Sequence, residues 1–238
     1  MDREMNIPGV GRVLHDTAEL EQPGPELFDE TQWPQRRTLK GGRGEVYLVD
    51  AGERAWLIKP YLRGGLIRRL FSKSYLFLGY GQTRMFREFR LLRYLTSHDV
   101  PVPRPIAALV KRSGMRYEGS IIIERFDEVR SLSDLLRDGP LSAGQWRAVG
   151  AVIARLHNQQ VNHKDLNASN MLLGEGAIHI IDFDRCALQR FGVERYCRGN
   201  LSRLERSLSK SAAAGGAFGP EDWQILLQGY HDQRQEAV

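Results

Sequence analysis

The stretch His163-Lys164-Asp165-Leu166-Asn167-Ala168-Ser169-Asn170, followed at once by the apolar run Met171-Leu172-Leu173, constrains this chain more than anything else in it. The spacing H-x-D-x-x-x-x-N sets a carboxylate and an amide just ahead of a strand. Twelve residues past Asn170 stands Asp182, inside Ile180-Ile181-Asp182-Phe183-Asp184. Gly174-Glu175-Gly176 between the two reads as the turn of a hairpin. Such a hairpin brings Asn170 and Asp182 together and leaves Asp165 in the tight loop beside them.

A lone His-x-Asp is commonly solvated, and a lone Asp after a strand is commonly a turn residue. The joint pattern asks for a chemistry that uses all three groups. Phosphoryl transfer does: one carboxylate orients an acceptor hydroxyl and takes its proton, the role expected of Asp165. Mg²⁺, which takes oxygen ligands, is expected on Asn170 and Asp182. His163 is expected to order the loop through hydrogen bonds. The roles of Lys164 and Asp184 stay open, and His157 and His179 read as structural.

The N-terminal half carries a second set. Gly41, Gly42 and Gly44 precede the run Val46-Tyr47-Leu48-Val49. A glycine-rich turn between strands can bring backbone N–H groups close to phosphates, though a plain β-turn reads the same way. The match to G-x-G-x-x-G-x-V is partial, because Leu39 takes the first glycine position. A second apolar run, Ala55-Trp56-Leu57-Ile58, ends in Lys59, a phosphate-contacting candidate. Glu88, on the next helix, is its candidate partner. Backbone groups of Glu124 and Phe126 are the candidates for holding adenine. Together these groups imply ATP with Mg²⁺.

The chain is strand-rich first and helix-rich later. Residues 84–98 show a helical stripe of Met85, Phe89, Leu92 and Leu95, and Pro101, Pro103 and Pro105 then enforce an extended stretch. Residues 107–110 and 120–123 read as paired strands. Helices are expected at 131–137 and 143–159, around Leu201, Leu204 and Leu208, and after Pro220. The order of elements reads as an α+β, two-lobed arrangement, and with the 163–170 and 182–184 motifs it resembles a protein-kinase-like fold. Residues 1–30 form a loosely organised lead-in, 31–123 a strand-rich N-lobe, and 124–238 a short helical C-lobe.

The polar start of the chain does not read as a signal peptide, and no apolar run is long enough to span a bilayer. Cys186 and Cys197 make neither a disulfide framework nor a metal site, which suits a reducing cytoplasm. The net charge of +5 suits an anionic partner. Lys59, Arg63, Arg68, Arg69 and Lys73 alternate with apolar residues and include no acid, as a segment on an anionic membrane surface would. No aromatic–basic pattern for nucleic acid is evident, nor an obligate protein partner.

Several stretches together resemble the lipopolysaccharide kinase family, and its Kdo (3-deoxy-D-manno-octulosonic acid) kinase branch, within the protein-kinase-like superfamily. They are Tyr61-Leu62-Arg63-Gly64-Gly65-Leu66, the run from Thr83 through Arg84-Met85-Phe86-Arg87-Glu88, Val100-Pro101-Val102-Pro103-Arg104-Pro105, the 163–170 loop, Asp182-Phe183-Asp184-Arg185, and Asn200-Leu201-Ser202-Arg203-Leu204. The family often has arginine at the Lys59 position. Asp184 in place of glycine, Asn167 in place of the lysine of serine/threonine kinases, and the lack of Ala-Pro-Glu set the chain apart from protein kinases proper. The resemblance implies phosphorylation of the 4-hydroxyl of Kdo on a lipid A precursor, at the cytoplasmic face of a Gram-negative inner membrane. An aminoglycoside- or choline-type phosphotransferase and a pseudokinase binding module are the competing readings.

Overall fold

The computed structural model describes residues 1–41, 44–61, 75–174 and 176–234. The chain divides into two compact units, one of Met1–Arg93 with Pro103–Asp127, the other of Tyr94–Val102 with Glu128–Val238.

The first unit is built on a sheet of eight strands among the described residues. They are β1 (Asp2–Ile7), β2 (Gly11–Asp16), β3 (Arg37–Gly41), β4 (Gly44–Ala51), β5 (Arg54–Pro60), β6 (Tyr75–Leu76), β7 (Pro105–Ser113) and β8 (Arg116–Glu124). The order across the sheet is β1-β2-β7-β8-β5-β4-β3, with β6 on β8. Side chains alternate along β5. Trp56 and Ile58 enter an apolar cluster with Val49, Leu27, Phe28, Ile106 and Ile122, while Lys59 lies on the opposite face. That face meets α1 (Arg84–Thr96), whose stripe Met85, Phe89 and Leu92 is buried as its periodicity requires.

The opening residues depart from the expected loose lead-in. β1 and β2 form a hairpin in which Asp2 faces Asp16 and Ile7 faces Gly11, and β2 pairs with β7. β1 has almost no apolar side to show in its sequence. It is tied down by charge instead: Arg90 reaches Glu4 at 2.7 Å, and Arg93 reaches Asp2 at 3.1 Å and the buried Asp16 at 2.8 Å.

The second unit holds β9 (Arg130–Ser131), α2 (Leu132–Asp138), α3 (Ala143–Asn158), β10 (Val161–Asn162), β11 (Met171–Gly174), β12 (Ala177–Ile180), β13 (Ala187–Leu188), α4 (Val193–Ala213) and α5 (Pro220–Gln233). Ser142 and Gln145 cap α3 reciprocally, through bonds of 3.2 and 2.8 Å. Pro220 opens α5, where a missing N–H costs nothing. α3 and α5 meet backbone to backbone: a Cβ on Gly150 would lie 2.0 Å from the Leu226 carbonyl oxygen, and one on Gly229 would lie 2.2 Å from that of Arg147. The core of this unit is Trp146, Val149, Ile153, Leu156, Leu204, Leu208 and Leu226.

Candidate active site

The 163–170 loop is fixed by its own short polar side chains. Asn167 Oδ1 accepts from the N–H groups of Ser169 and Asn170, at 2.9 and 3.1 Å, capping the turn that runs into β11. Asn167 Nδ2 and Asn170 Nδ2 both donate to the Asp165 carbonyl, at 3.0 and 2.9 Å. Leu166 and Ala168 are fully buried and anchor the loop from beneath. β11 and β12 then form the expected hairpin, with Met171 opposite Ile180, and the Ile181 N–H donates to the Asn170 carbonyl at 3.0 Å. Asp165, Asn170 and Asp182 are thus brought together within the second unit.

The Asp165 carbonyl can only accept, so the Asn170 amide must turn its nitrogen there, which leaves Oδ1 as the atom to meet a cation. Asp182 is exposed and has φ of 65°, a left-handed conformation rare for a non-glycine residue. Phe183 beside it is buried against the His163 ring, edge on, with centroids 4.9 Å apart. Among the described residues no three His, Cys, Asp or Glu side chains form a metal cage of their own. An amide and a carboxylate are oxygen donors of the kind Mg²⁺ takes, and that ion commonly completes its shell with water and phosphate oxygens.

His163 is a neutral strut. It is fully buried, and Nε2–H donates to the Ile181 carbonyl at 3.1 Å. Burial holds its pKa below the ordinary value, against that hydrogen bond and the nearby Asp182 and Asp165 charges. Asn200 on α4, which no local sequence pattern marks for a role, grips the same backbone. With its amide turned to suit its neighbours, Nδ2 donates to the His163 carbonyl at 3.0 Å and Asn162 Oδ1 at 3.2 Å; Oδ1 accepts from His163 N–H and His157 Nε2–H, both at 3.2 Å. His157 Nδ1 in turn meets the Tyr230 hydroxyl at 2.9 Å.

In the first unit, Lys59 Nζ lies 3.4 Å from Glu88 Oε1. Glu88 is only 2% exposed, so its second oxygen also needs a donor. Tyr61 supplies it: the phenol donates to Oε2. Tyr61 was legible only as part of a family-like stretch, with no signal for this role. Gly41 and Gly44 face each other at the β3–β4 turn. Gly42 lies outside the described residues, as do Arg63, Arg68, Arg69 and Lys73.

At the end of β8, the Glu124 N–H donates to the Arg104 carbonyl at 2.8 Å, and its carboxylate holds the Arg104 guanidinium, also at 2.8 Å. Its N–H is therefore committed, and its carbonyl is the backbone group it could offer a nucleobase. Arg125 pins the segment carrying Phe126, reaching Asp50 at 2.7 Å and Asp127 at 2.8 Å. A polar cavity of about 300 Å³ beside it is lined by Glu19, Arg54, Trp56, Arg104 and Arg125. Arg54 and Arg104 pair with Glu19 at 3.3 and 3.6 Å, so its charges are largely balanced.

A loop carboxylate, two candidate oxygen donors for a cation and a partly exposed lysine paired with a buried glutamate are groups a kinase uses, and the family and relatives that follow show the chain to be an ATP-dependent phosphotransferase. The chain belongs to the lipopolysaccharide kinase (Kdo/WaaP) family, whose model matches residues 32–230. It is 42% identical over 226 residues to a 3-deoxy-D-manno-octulosonic acid kinase of Xanthomonas oryzae pv. oryzae (strain PXO99A), covering 93% of this chain and 90% of that one. It is 41% identical over 208 residues to the protein of the same name from Stenotrophomonas maltophilia (strain R551-3), covering 85% and 82%. Among solved structures it resembles WaaP in complex with acyl carrier protein, with TM-score 0.59 and 17% identity over 83% of this chain and 79% of that one.

Proposed function

We propose that this chain transfers the γ-phosphate of ATP to the 4-hydroxyl of a Kdo sugar on a lipid A precursor. The observation that carries the reading is the 42% identity to a named Kdo kinase over 93% of the chain. The intact set Asp165, Asn170 and Asp182 supports it.

Asp165 accepts the proton of the attacking hydroxyl. The new bond joins that oxygen to the γ-phosphorus, the bond to the β–γ bridging oxygen breaks, and ADP leaves. Mg²⁺ on Asn170 Oδ1 and the Asp182 carboxylate would offset phosphate charge. Lys59, held by Glu88 and Tyr61, contacts the phosphates. The turn at Gly41, Gly42 and Gly44 approaches them through backbone N–H groups, and the Glu124 carbonyl with Phe126 backbone groups holds adenine.

The enzyme works at the cytoplasmic face of the inner membrane as a peripheral protein, with Arg63, Arg68, Arg69 and Lys73 toward anionic lipid. No described helix is long and apolar enough to cross a membrane.

Mass spectrometry of Kdo-lipid A precursor, incubated with the protein, ATP and Mg²⁺, tests the reading. One added phosphate on the sugar, lost when the acceptor lacks its 4-hydroxyl, is the expected result. Phosphate transfer to an aminoglycoside but not to the Kdo lipid would overturn it.

A further inference from the structure

The chain beyond Asp182 returns to the start of the catalytic loop. β13 pairs with β10, Leu188 opposite Val161 and Ala187 opposite Asn162. Gln189 extends the tie: its N–H donates to the Gln160 carbonyl at 2.8 Å, and its Oε1 accepts from Asn162 Nδ2 at 3.0 Å. The turn between β13 and α4 is thereby fixed to the strand that leads into Asp165.

This turn has an unusual surface. Phe191 is 88% exposed and Leu188 50% exposed. Arg185, Arg190, Arg195 and Arg198 are exposed as well, and none of the four makes a hydrogen bond or ion pair with a described residue. Glu194 is the one acidic residue between Asp184 and Glu205, and it faces Arg234 at 3.5 Å. Surfaces that meet only water usually mix the two signs and keep large apolar groups apart. Guanidinium forks match carboxylate and phosphate oxygens, and the apolar pair between them matches hydrocarbon.

We propose that this turn is the docking surface for the acceptor, an anionic sugar carrying acyl chains. The arginines take its carboxylate and phosphate oxygens, and Leu188 and Phe191 lie against its hydrocarbon. This rests on the reading of the acceptor as a Kdo lipid and adds which face of the second unit receives it.

The test is steady-state kinetics of the full chain on acylated and deacylated Kdo-lipid acceptor, with thermal melting as a control on folding. Leu188→Ser/Phe191→Ser should reduce the preference for the acylated acceptor about tenfold in kcat/KM. Arg190→Ser/Arg195→Ser should raise acceptor KM about tenfold for both forms and flatten its salt dependence, while ATP KM holds. An unchanged preference and acceptor KM in folded variants, with an active wild type, overturn the docking surface and leave the Kdo reading standing. Variants that lose affinity for acceptor-free anionic vesicles but keep the wild-type acceptor KM also overturn it, in favour of the bare bilayer. A wild type inactive on either acceptor removes the Kdo reading and this inference together.

Discussion

Tyr61 donates its phenolic hydrogen bond to the oxygen of Glu88 that Lys59 does not hold. Glu88 is buried, so both of its oxygens need partners, and the phenol and the ammonium divide the work. Tyr61→Phe should lower kcat/KM for ATP about tenfold, since removing a hydrogen-bond donor from a buried carboxylate costs about 1–3 kcal/mol. Glu88→Gln should lower it too, and the double variant should be little worse than the worse single one. Strict additivity in this cycle would show that the two groups act separately.

Asp165→Ala and Asp182→Asn should fail differently. The first removes the proton acceptor and should cut kcat at least about 10²-fold while ATP binding persists. The second keeps a side chain suited to a left-handed backbone but drops the charge. Its activity should recover in part at raised Mg²⁺, read as a shift in the metal titration. If both variants showed the same metal dependence, the division of roles would be wrong.

His157 ties stability to pH. Burial, with lesser contributions from the Arg234 and His163 charges, pushes its pKa down from 6.5 to about 3. Between those values the ring gains a proton only on unfolding, so the unfolded chain binds more protons and stability rises with pH. The contribution is complete above about 6.5 and drains away as pH falls toward 3. His163, also held neutral by burial, acts in the same direction. His157→Gln should therefore flatten, without abolishing, the fall in melting temperature between about pH 6.5 and about pH 5, above most carboxylate titrations. An identical slope in the variant would remove this role.

Gly150 tests the contact between α3 and α5. An added methyl would meet the Leu226 carbonyl and the Tyr230 amide nitrogen of the facing helix, both backbone atoms that cannot turn aside. Gly150→Ala should cost about 1–3 kcal/mol, despite alanine's better helix propensity, through forced separation of the helices. Chemical denaturation would read this as a lower midpoint.

The elements with a strong period were legible from residues alone: the α1 stripe, the apolar runs that become β4 and β5, the β11–β12 hairpin and α3. So was the grouping of Asp165, Asn170 and Asp182, because the spacing spans one short hairpin. The β1–β2 hairpin was not, since Asp2-Arg3-Glu4 has no apolar alternation and its ties to Arg90 and Arg93 join residues some ninety positions apart. Asn200 and Tyr61 escaped for a related reason. Their partners are a backbone segment and a buried carboxylate distant in sequence, and no local pattern announces a hydrogen bond. Residues whose job is to hold the catalytic groups leave a weaker trace than the groups themselves.

Val161–Asn162 and Ala187–Leu188 close the chain into one loop that contains Asp165, Asn170 and Asp182. Among the described residues the clasp is short: two residue pairs between the strands and the bonds of Gln189 to Gln160 and Asn162. If it frays, all three groups lose their footing at once, while the helices around Trp146 and Leu204 can stay packed. Inactivation by heat or denaturant would then run ahead of global melting, as a single step shared by the proton acceptor and the cation ligands.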